Sequence, residues 1–384
     1  MKRILTILSA LLVTLSMGAQ AKKSNNPAVM LRFAGNDPHV TYVGRTAVDA
    51  DGNVSFDWSA TTIRVEFEGD YLALQVSDTK KNYYNVWIDK DPDVEADKVI
   101  ATEGTDTVVE VVTKDMFDKK TAKGPHKVTI QKRTEGEQGR TTIKKFFTHG
   151  QLLQAEPLKD RIIEVIGDSY TCGYGSENST SKTRFSPETE NINKAYISII
   201  ARYFDADLVA VAHSGMGITR NYNEEMKPHL KGYHMVERYL QTYDEDKEVM
   251  WDAKAAGWKP DITVIYLGAN DFSVSKQPSL GSFKTKYHRL LQQIKANYGE
   301  DHPILCCATR NDEGIFNYVR EAANTCGLKN VRYTAIFQGV QFNDDRELGA
   351  DSHPNYKAHI KTAHVLMPYV ATLAEWDMTG KPIK

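Results

Sequence analysis

The sequence predicts two domains: an N-terminal all-β antiparallel sandwich of the jelly-roll kind over residues 28–152, and a C-terminal α/β domain built on a buried parallel sheet over residues 160–380. Three observations lead there. Between residues 30 and 150 apolar and polar residues alternate with period two in many short runs. From residue 161 onward, short continuous apolar runs alternate with longer stretches of helical period. The polar stretch "QLLQAEPLKD" (151–160) separates the two textures.

In the first half, "IRVEFEG" (63–69) and "YLALQV" (71–76) alternate around Gly69-Asp70, which reads as a hairpin. "YYNVWID" (83–89), "TVVEVVT" (107–113), "HKVTIQKR" (126–133) and "TTIKKFF" (141–147) continue the pattern, punctuated by "DADGN", "KDPD" and "KGP". Strands this short and this regular suit a sandwich. Trp58 and Trp87 fall within the pattern and read as its core. In the second half the apolar runs are "IIEVIG" (162–167), "DLVAVAH" (207–213), "DITVIYLG" (261–268), "PILCCAT" (303–309) and "NVRYTAI" (330–336). Helical stretches at 193–204, 282–299, 313–327 and 355–376 lie between and after them. Strands alternating with helices make βαβ units, whose parallel sheet is covered on both faces.

Met1 is followed by Lys2, Arg3 and the apolar run "ILTILSALLVTLSMGA", and Ala19-Gln20-Ala21 has the small-x-small form of a cleavage site. Residues 1–21 therefore read as a signal peptide, the run being shorter than the ~20 residues that span a bilayer. The expectation is export, to the periplasm or beyond, with no stable membrane insertion after cleavage. A net charge of −2 argues against nucleic acid as a partner. Four cysteines (Cys172, Cys306, Cys307 and Cys326) are too few for a disulfide scaffold. Cys306 and Cys307 should face opposite sides of a strand, and a bridge from either to Cys326 stays open. No CxxC or HExxH spacing calls for a metal, and no cofactor is expected.

The chemistry is carried by four loops. "EVIGDSYTCGYG" (164–175) puts Asp168 and Ser169 just past the carboxyl end of the first parallel strand, where open α/β sheets bind their ligands. "HSGMG" (213–217) follows the second strand, "GANDF" (268–272) the third, and "GADSHPN" (349–355) precedes the last helix. A serine hydroxyl holds its proton at neutral pH and needs a base, and His353 is the natural one. Asp351 would orient that base through its carboxylate or its main-chain carbonyl. The backbone N–H groups of Ser169 and Gly215 and the side-chain amide of Asn270 are placed to receive an oxyanion. Taken singly, each loop reads equally well as a turn or a helix cap. Taken together, they supply what acyl transfer requires.

These blocks resemble the SGNH (GDSL-type) hydrolases, with "GDSYTCGYG" as the first block, Gly215 as the second, "GAND" as the third and His353 in the fifth. More specifically the chain resembles the family 2 carbohydrate esterases, in which a jelly roll precedes an SGNH domain of flavodoxin-like α/β/α form. In the first half the likeness rests on "YVGRTAVDADGNVSFDWSATTIRVEFEG" (42–69) and "GPHKVTIQKRTEGEQG" (124–139); in the second it rests on "HSGMGITRNY" (213–222) and "DSHPN" (351–355). The wider superfamily places its acid three residues before the histidine. Here Ala350 stands there and Asp351 lies two before; that spacing is similar to the family 2 carbohydrate esterases, and the resemblance implies an acid that contributes weakly or only through its main chain. "NDD" (343–345) and Glu347 are fallback acids. The resemblance implies removal of acetyl groups from plant cell-wall polysaccharides such as xylan or glucomannan, an acetylated polymer or oligosaccharide being the partner. Tyr222 and Tyr174, in loops beside the site, are candidates for the aromatic platform a sugar ring prefers. Competing readings are a broader lipase- or thioesterase-type hydrolase, disfavoured by the polar "SENSTSKTRFSPETEN" (176–191), an acyltransferase, and a non-catalytic carbohydrate-binding protein.

Overall fold

The structure is a computed structural model that describes residues 29–384 except 119, 225–231, 274–276, 310–312, 336–341 and 343. The signal peptide expected at residues 1–21 lies outside the described residues. The first domain contains β1 (Leu31–Ala34), β2 (Thr41–Val43), β3 (Ala47–Val48), β4 (Val54–Phe56), β5 (Thr62–Phe67), β6 (Leu72–Asp78), β7 (Asn82–Ile88), β8 (Lys98–Thr102), β9 (Thr107–Val112), β10 (His126–Lys132), β11 (Thr141–Thr148) and β12 (Leu152–Leu153). They form two antiparallel sheets. One runs β3-β4-β11-β6-β9 with β1 also on β11; the other runs β12-β5-β10-β7-β8 with β2 also on β5. The inner faces bury Phe56, Ile63, Val65, Phe67, Leu74, Val86, Val128, Ile130, Ile143 and Phe146 in one core, as period-two strands with one apolar face require.

The hairpin expected at Gly69-Asp70 does not form. β5 pairs with β10 and β6 with β11, so the turn carries the chain from one sheet to the other. Alternation reports which face of a strand is buried, and both strands bury theirs in the same core. It does not report which sheet each strand joins. Trp58 also departs from expectation. It is buried, but it packs with Ile166, Val211, Met216 and Tyr239 of the second domain, and its indole N–H donates to the Thr242 carbonyl at 2.9 Å. Trp87 is fully buried, its N–H on the Glu95 carbonyl at 3.1 Å.

The second domain contains β13 (Ile162–Gly167), α1 (Ser169–Cys172), α2 (Tyr196–Phe204), β14 (Asp207–Ala212), α3 (Met235–Arg238), β15 (Gln241–Tyr243), β16 (Asp246–Met250), β17 (Ile262–Tyr266), α4 (Leu280–Tyr298), β18 (Ile304–Ala308), α5 (Glu313–Thr325), β19 (Val331–Ala335), α6 (Asp344–Glu347) and α7 (Tyr356–Ala374). The parallel sheet has the order β14-β13-β17-β18-β19. Helices α2 and α7 cover one face, where Tyr196, Ile200, Leu366 and Met367 meet Ile163, Val165 and Cys307. Helices α4 and α5 cover the other, where Phe283, Leu290, Ile294 and Val319 meet Ile166, Ile265 and Cys306. The adjacent cysteines thus face opposite sides, and all four cysteines are free thiols, so the bridge to Cys326 is not made. Among the described residues no helix is long and apolar enough to cross a membrane.

A buried ion pair joins the domains. Glu164, in the middle of β13, is fully buried. Its carboxylate accepts from Arg45 Nη2 at 3.2 Å, Tyr298 OH at 2.9 Å, Thr263 Oγ1 at 3.1 Å and Tyr239 OH at 3.3 Å. Arg45 comes from the sandwich, and its Nη1 also donates to the carbonyls of Tyr239 (2.6 Å) and Gln241 (2.8 Å). A charge in an otherwise apolar strand is tolerable only with such partners. On the neighbouring edge strand Arg64 of the sandwich pairs with Asp207 of β14.

Candidate active site

Strand β13 ends at Gly167, and the chain turns straight into the one-turn helix α1. Asp168 caps that helix, its Oδ1 accepting the Tyr170 N–H at 3.1 Å. A Cβ on Gly167 would lie 2.0 Å from Thr171 Oγ1, so only glycine lets the helix fold back this tightly. This turn holds Ser169, 7% exposed, at the carboxyl end of β13. Because β14 and β17 flank β13 on opposite sides, the loops that follow them border the serine. That is the switch point of the strand order.

His353 Nε2 lies 2.9 Å from Ser169 Oγ, although 184 residues separate them. The histidine follows a tight 3-10 turn, Ala350–Ser352, in which Asp351 (φ 49°) and Ser352 (φ 65°) are both left-handed. Left-handed backbone costs on the order of 1–3 kcal/mol per non-glycine residue, and it clusters where geometry serves function. The chain then enters α7, whose N-cap Asn355 accepts from the N–H groups of Lys357 and Ala358.

The Asp351 carboxylate does not meet the histidine. It accepts from Arg184 Nη1 at 2.8 Å, Tyr174 OH at 3.0 Å and the Phe185 N–H at 3.1 Å. Burial pulls Asp351 upward, but these donors outweigh it and hold the carboxyl below its ordinary range. Among the described residues His353 Nδ1 has no hydrogen-bond partner. Burial lowers the histidine's pKa, and the main-chain carbonyls of Ala350 and Asp351 oppose that shift. Of the two roles open to Asp351, the carboxylate one does not fit this geometry. Of the fallback acids, the side chains at 343–345 lie outside the description, and Glu347 pairs with Lys361 at 2.6 Å.

Tyr174 requires a correction as a sugar platform. Its ring lies between His353 (4.1 Å between centroids, 30°) and Phe185 (4.1 Å, 23°), so neither face is open. It braces the histidine while its hydroxyl holds Asp351. The aromatic content of the chain gave no means of separating a stacked tyrosine from an exposed one. Tyr222 is half exposed, next to Gly215, whose carbonyl accepts the Tyr222 N–H at 2.7 Å.

In the loop after β14 nearly every backbone N–H is engaged. His213 N donates to Gly167 O, Ser214 N to Glu135 Oε2, Met216 N to His213 O, Gly217 N to Asn221 Oδ1, and the N–H groups of Ile218, Thr219 and Arg220 to the carboxyl of Asp271. From His213 to Arg220 the Gly215 N–H alone has no acceptor among the described residues, and Gly215 sits at φ +79°, where glycine is unstrained. Asn270 ties the three loops together: its Nδ2 donates to Met216 O at 2.8 Å and to Asp168 Oδ2 at 3.2 Å. Both of its N–H bonds are thus engaged, and an oxyanion would share the longer one. Ser169, Gly215 and Asn270 are brought together; the carboxylate of Asp351 is not.

Sequence reasoning missed the polar layer under this loop. His213 Nδ1 meets Asp244 Oδ2 at 2.6 Å, and Arg238 Nη1 meets Asp244 Oδ1 at 2.6 Å. Burial works against both charges, but the pairing wins: His213 is raised and Asp244 lowered from their ordinary values. His213, Asp244 and Glu245 lie close enough to hold a metal ion, but Arg238 already supplies the positive charge to both acids. Asp57 of the sandwich accepts the Asp244 N–H at 2.9 Å. The signal available was the run of acids and glycines in "TEGEQG" and "TYDED", which lies at turns between strands and carries no periodicity.

A nucleophile at a strand-to-helix turn, a histidine on it from just before the last helix, and a free glycine N–H beside both define a serine hydrolase of the GDSL type. The chain belongs to the GDSL-like Lipase/Acylhydrolase family, whose description matches residues 163–366. Residues 42–157 match the family Carbohydrate esterase 2 N-terminal, and with that domain in front the chain is most like the family 2 carbohydrate esterases. It is 29% identical over 347 residues to the cellulase/esterase CelE of Acetivibrio thermocellus, covering 89% of this chain and 40% of that protein. The chain thus spans less than half the length of that relative. It is 24% identical to an acetylxylan esterase / glucomannan deacetylase of Cellvibrio japonicus, covering 90% and 91% of the two chains. Among solved structures, a family two carbohydrate esterase from Clostridium thermocellum in complex with cellohexaose aligns at TM-score 0.78 and 28% identity, over 88% of this chain and 100% of that one. A family two carbohydrate esterase from Cellvibrio japonicus shares the fold at TM-score 0.77 and 22% identity, over 91% and 99%.

Proposed function

We propose that this protein is an exported serine esterase that removes O-acetyl groups from plant cell-wall polysaccharides or their oligosaccharides, through an acetyl-enzyme on Ser169. The observation that carries the reading is the 2.9 Å contact of Ser169 Oγ with His353 Nε2 beside the unpaired Gly215 N–H. The related acetylxylan esterase / glucomannan deacetylase and the cellohexaose complex support the substrate class. The lysine- and arginine-led apolar start of the chain supports export.

His353 Nε2 takes the Ser169 proton as Oγ attacks the acetyl carbonyl. The oxyanion forms against the N–H groups of Ser169 and Gly215, each such donor being worth ~3 kcal/mol in the transition state. Collapse expels the sugar oxygen, which leaves with the proton from Nε2. Water then enters, gives its proton to Nε2 and attacks the acetyl-enzyme. Acetate departs, and the proton returns to Ser169.

The test is acetate release from acetylated xylan and from acetylated glucomannan. Release from either supports the reading, and the ratio names the preferred polymer. An octanoyl ester cleaved faster than an acetyl ester would overturn it in favour of a lipase-type enzyme.

Two further outcomes follow from the geometry. Asp351→Asn keeps the main-chain carbonyl, so its kcat should stay within about tenfold of the parent, whereas His353→Ala should lose ~10³-fold or more. Equal losses in folded variants would mean that the carboxylate works after all. The acid limb of kcat/KM reports the histidine in the free enzyme. Burial lowers its pKa, so the neutral, working imidazole survives below the ordinary ~6.5 of histidine. The acid half-maximal point should therefore lie below that ordinary value. A half-maximal point above pH 7 would contradict the buried setting.

A further inference from the structure

The N–H next to Gly215 in the chain, that of Ser214, is held from the other domain. Glu135, in the loop after β10 of the sandwich, is almost fully buried, and its Oε2 accepts the Ser214 N–H at 2.6 Å. From His213 to Arg220 the other N–H groups, that of Gly215 apart, find their acceptors within the hydrolase domain. The Glu135 loop itself is fixed. Its N–H donates to Glu190 Oε2 at 3.3 Å, its carbonyl accepts from the buried Lys132 Nζ at 3.1 Å, and a Cβ on Gly136 would lie 2.3 Å from the Cβ of Asp244. Glu190 Oε1 is buried and has no hydrogen-bond partner among the described residues. Burial, then the charge of Glu135, pushes Glu190 well up.

We propose that Glu135 of the β-sandwich is a positioning residue for the oxyanion loop, its carboxyl oxygen fixing the Ser214 peptide so that the Gly215 N–H stays free for the reacting carbonyl. The sandwich then supplies part of the catalytic apparatus besides any contact it makes with carbohydrate. This rests on the proposed esterase reading, because it gives Gly215 its role there. A donor used only in the transition state affects kcat and leaves KM nearly unchanged.

The experiment is steady-state hydrolysis of p-nitrophenyl acetate by the full chain, by Ser169→Ala, and by Glu135→Ala and Glu135→Gln. The expected result is a kcat at least tenfold lower in Glu135→Ala with KM within about twofold. Glu135→Gln, whose amide oxygen can still accept the Ser214 N–H, should recover kcat to within about threefold of the parent. A Glu135→Ala kcat within threefold of the parent, or a loss expressed wholly in KM, overturns the proposal. If Glu135→Ala does not fold, Glu135→Gln decides: near-parental kcat supports the role, and a tenfold loss in folded protein overturns it. Parental activity that does not depend on Ser169 overturns the esterase reading and this inference with it. Ser169-dependent activity that ignores Glu135 overturns the inference alone.

Discussion

Ser169→Ala is expected to lower acetate release from acetylated xylan and from p-nitrophenyl acetate by at least ~10⁴-fold, the scale seen when a serine hydrolase loses its nucleophile. The hydroxyl's one described partner is His353 Nε2, so its removal leaves no other described side chain unpaired. The helix turn around it is held by Asp168, Gly167 and Thr171, which the substitution does not touch. Folding and oligosaccharide binding should therefore persist, measurable as an unchanged thermal transition and retained affinity for an acetylated oligosaccharide. This separates the esterase reading from a purely carbohydrate-binding one, since a binding protein would lose nothing. A residual rate within tenfold of the parent would mean that water attacks the ester directly, and the acetyl-enzyme would have to be abandoned.

The second large effect concerns stability. Arg45→Met should cost ~3–5 kcal/mol, because it leaves the Glu164 carboxylate buried in the middle of β13 without its counter-charge. The stranded groups include the carbonyls of Tyr239 and Gln241, so the damage spans both domains. The double variant Arg45→Met/Glu164→Met removes both charges and should recover much of the loss, since the penalty lies in leaving one ion alone. Urea unfolding of the three proteins checks this. A single variant within ~1 kcal/mol of the parent would show that water reaches Glu164 and that the pair is not the joint described here.

The predicted strand at 162–167 coincides with β13, and the predicted helices differ from the observed ones by a few residues at their ends. Such segments carry their own signal: periodicity depends on burial of one face and needs no knowledge of the partner. Ser169 and His353 were legible because chemistry restricts what can follow a strand in a hydrolase. The fate of the Asp351 carboxylate was not, because two successive left-handed residues turn it toward Arg184, and spacing does not encode φ. Tyr174 failed as a platform for a related reason, its ring faces being filled by residues far off in sequence. Arg45 and Glu164 lie 119 residues apart, and nothing in the local pattern around either one points to the other. Only the tertiary structure shows them to be one object.

The Arg45–Glu164 joint bears on how this protein can be cut and recombined. A fragment beginning at residue 160 would expose Ile166 and Met216 where Trp58 now packs, and would leave Glu164 without its counter-charge, with only the hydroxyls of Tyr239, Thr263 and Tyr298 as donors. Tandem proteins are often treated as beads that can be exchanged along a string. Here the heritable unit is the pair, and a chimera that swaps either half must carry the matching arginine or glutamate with it.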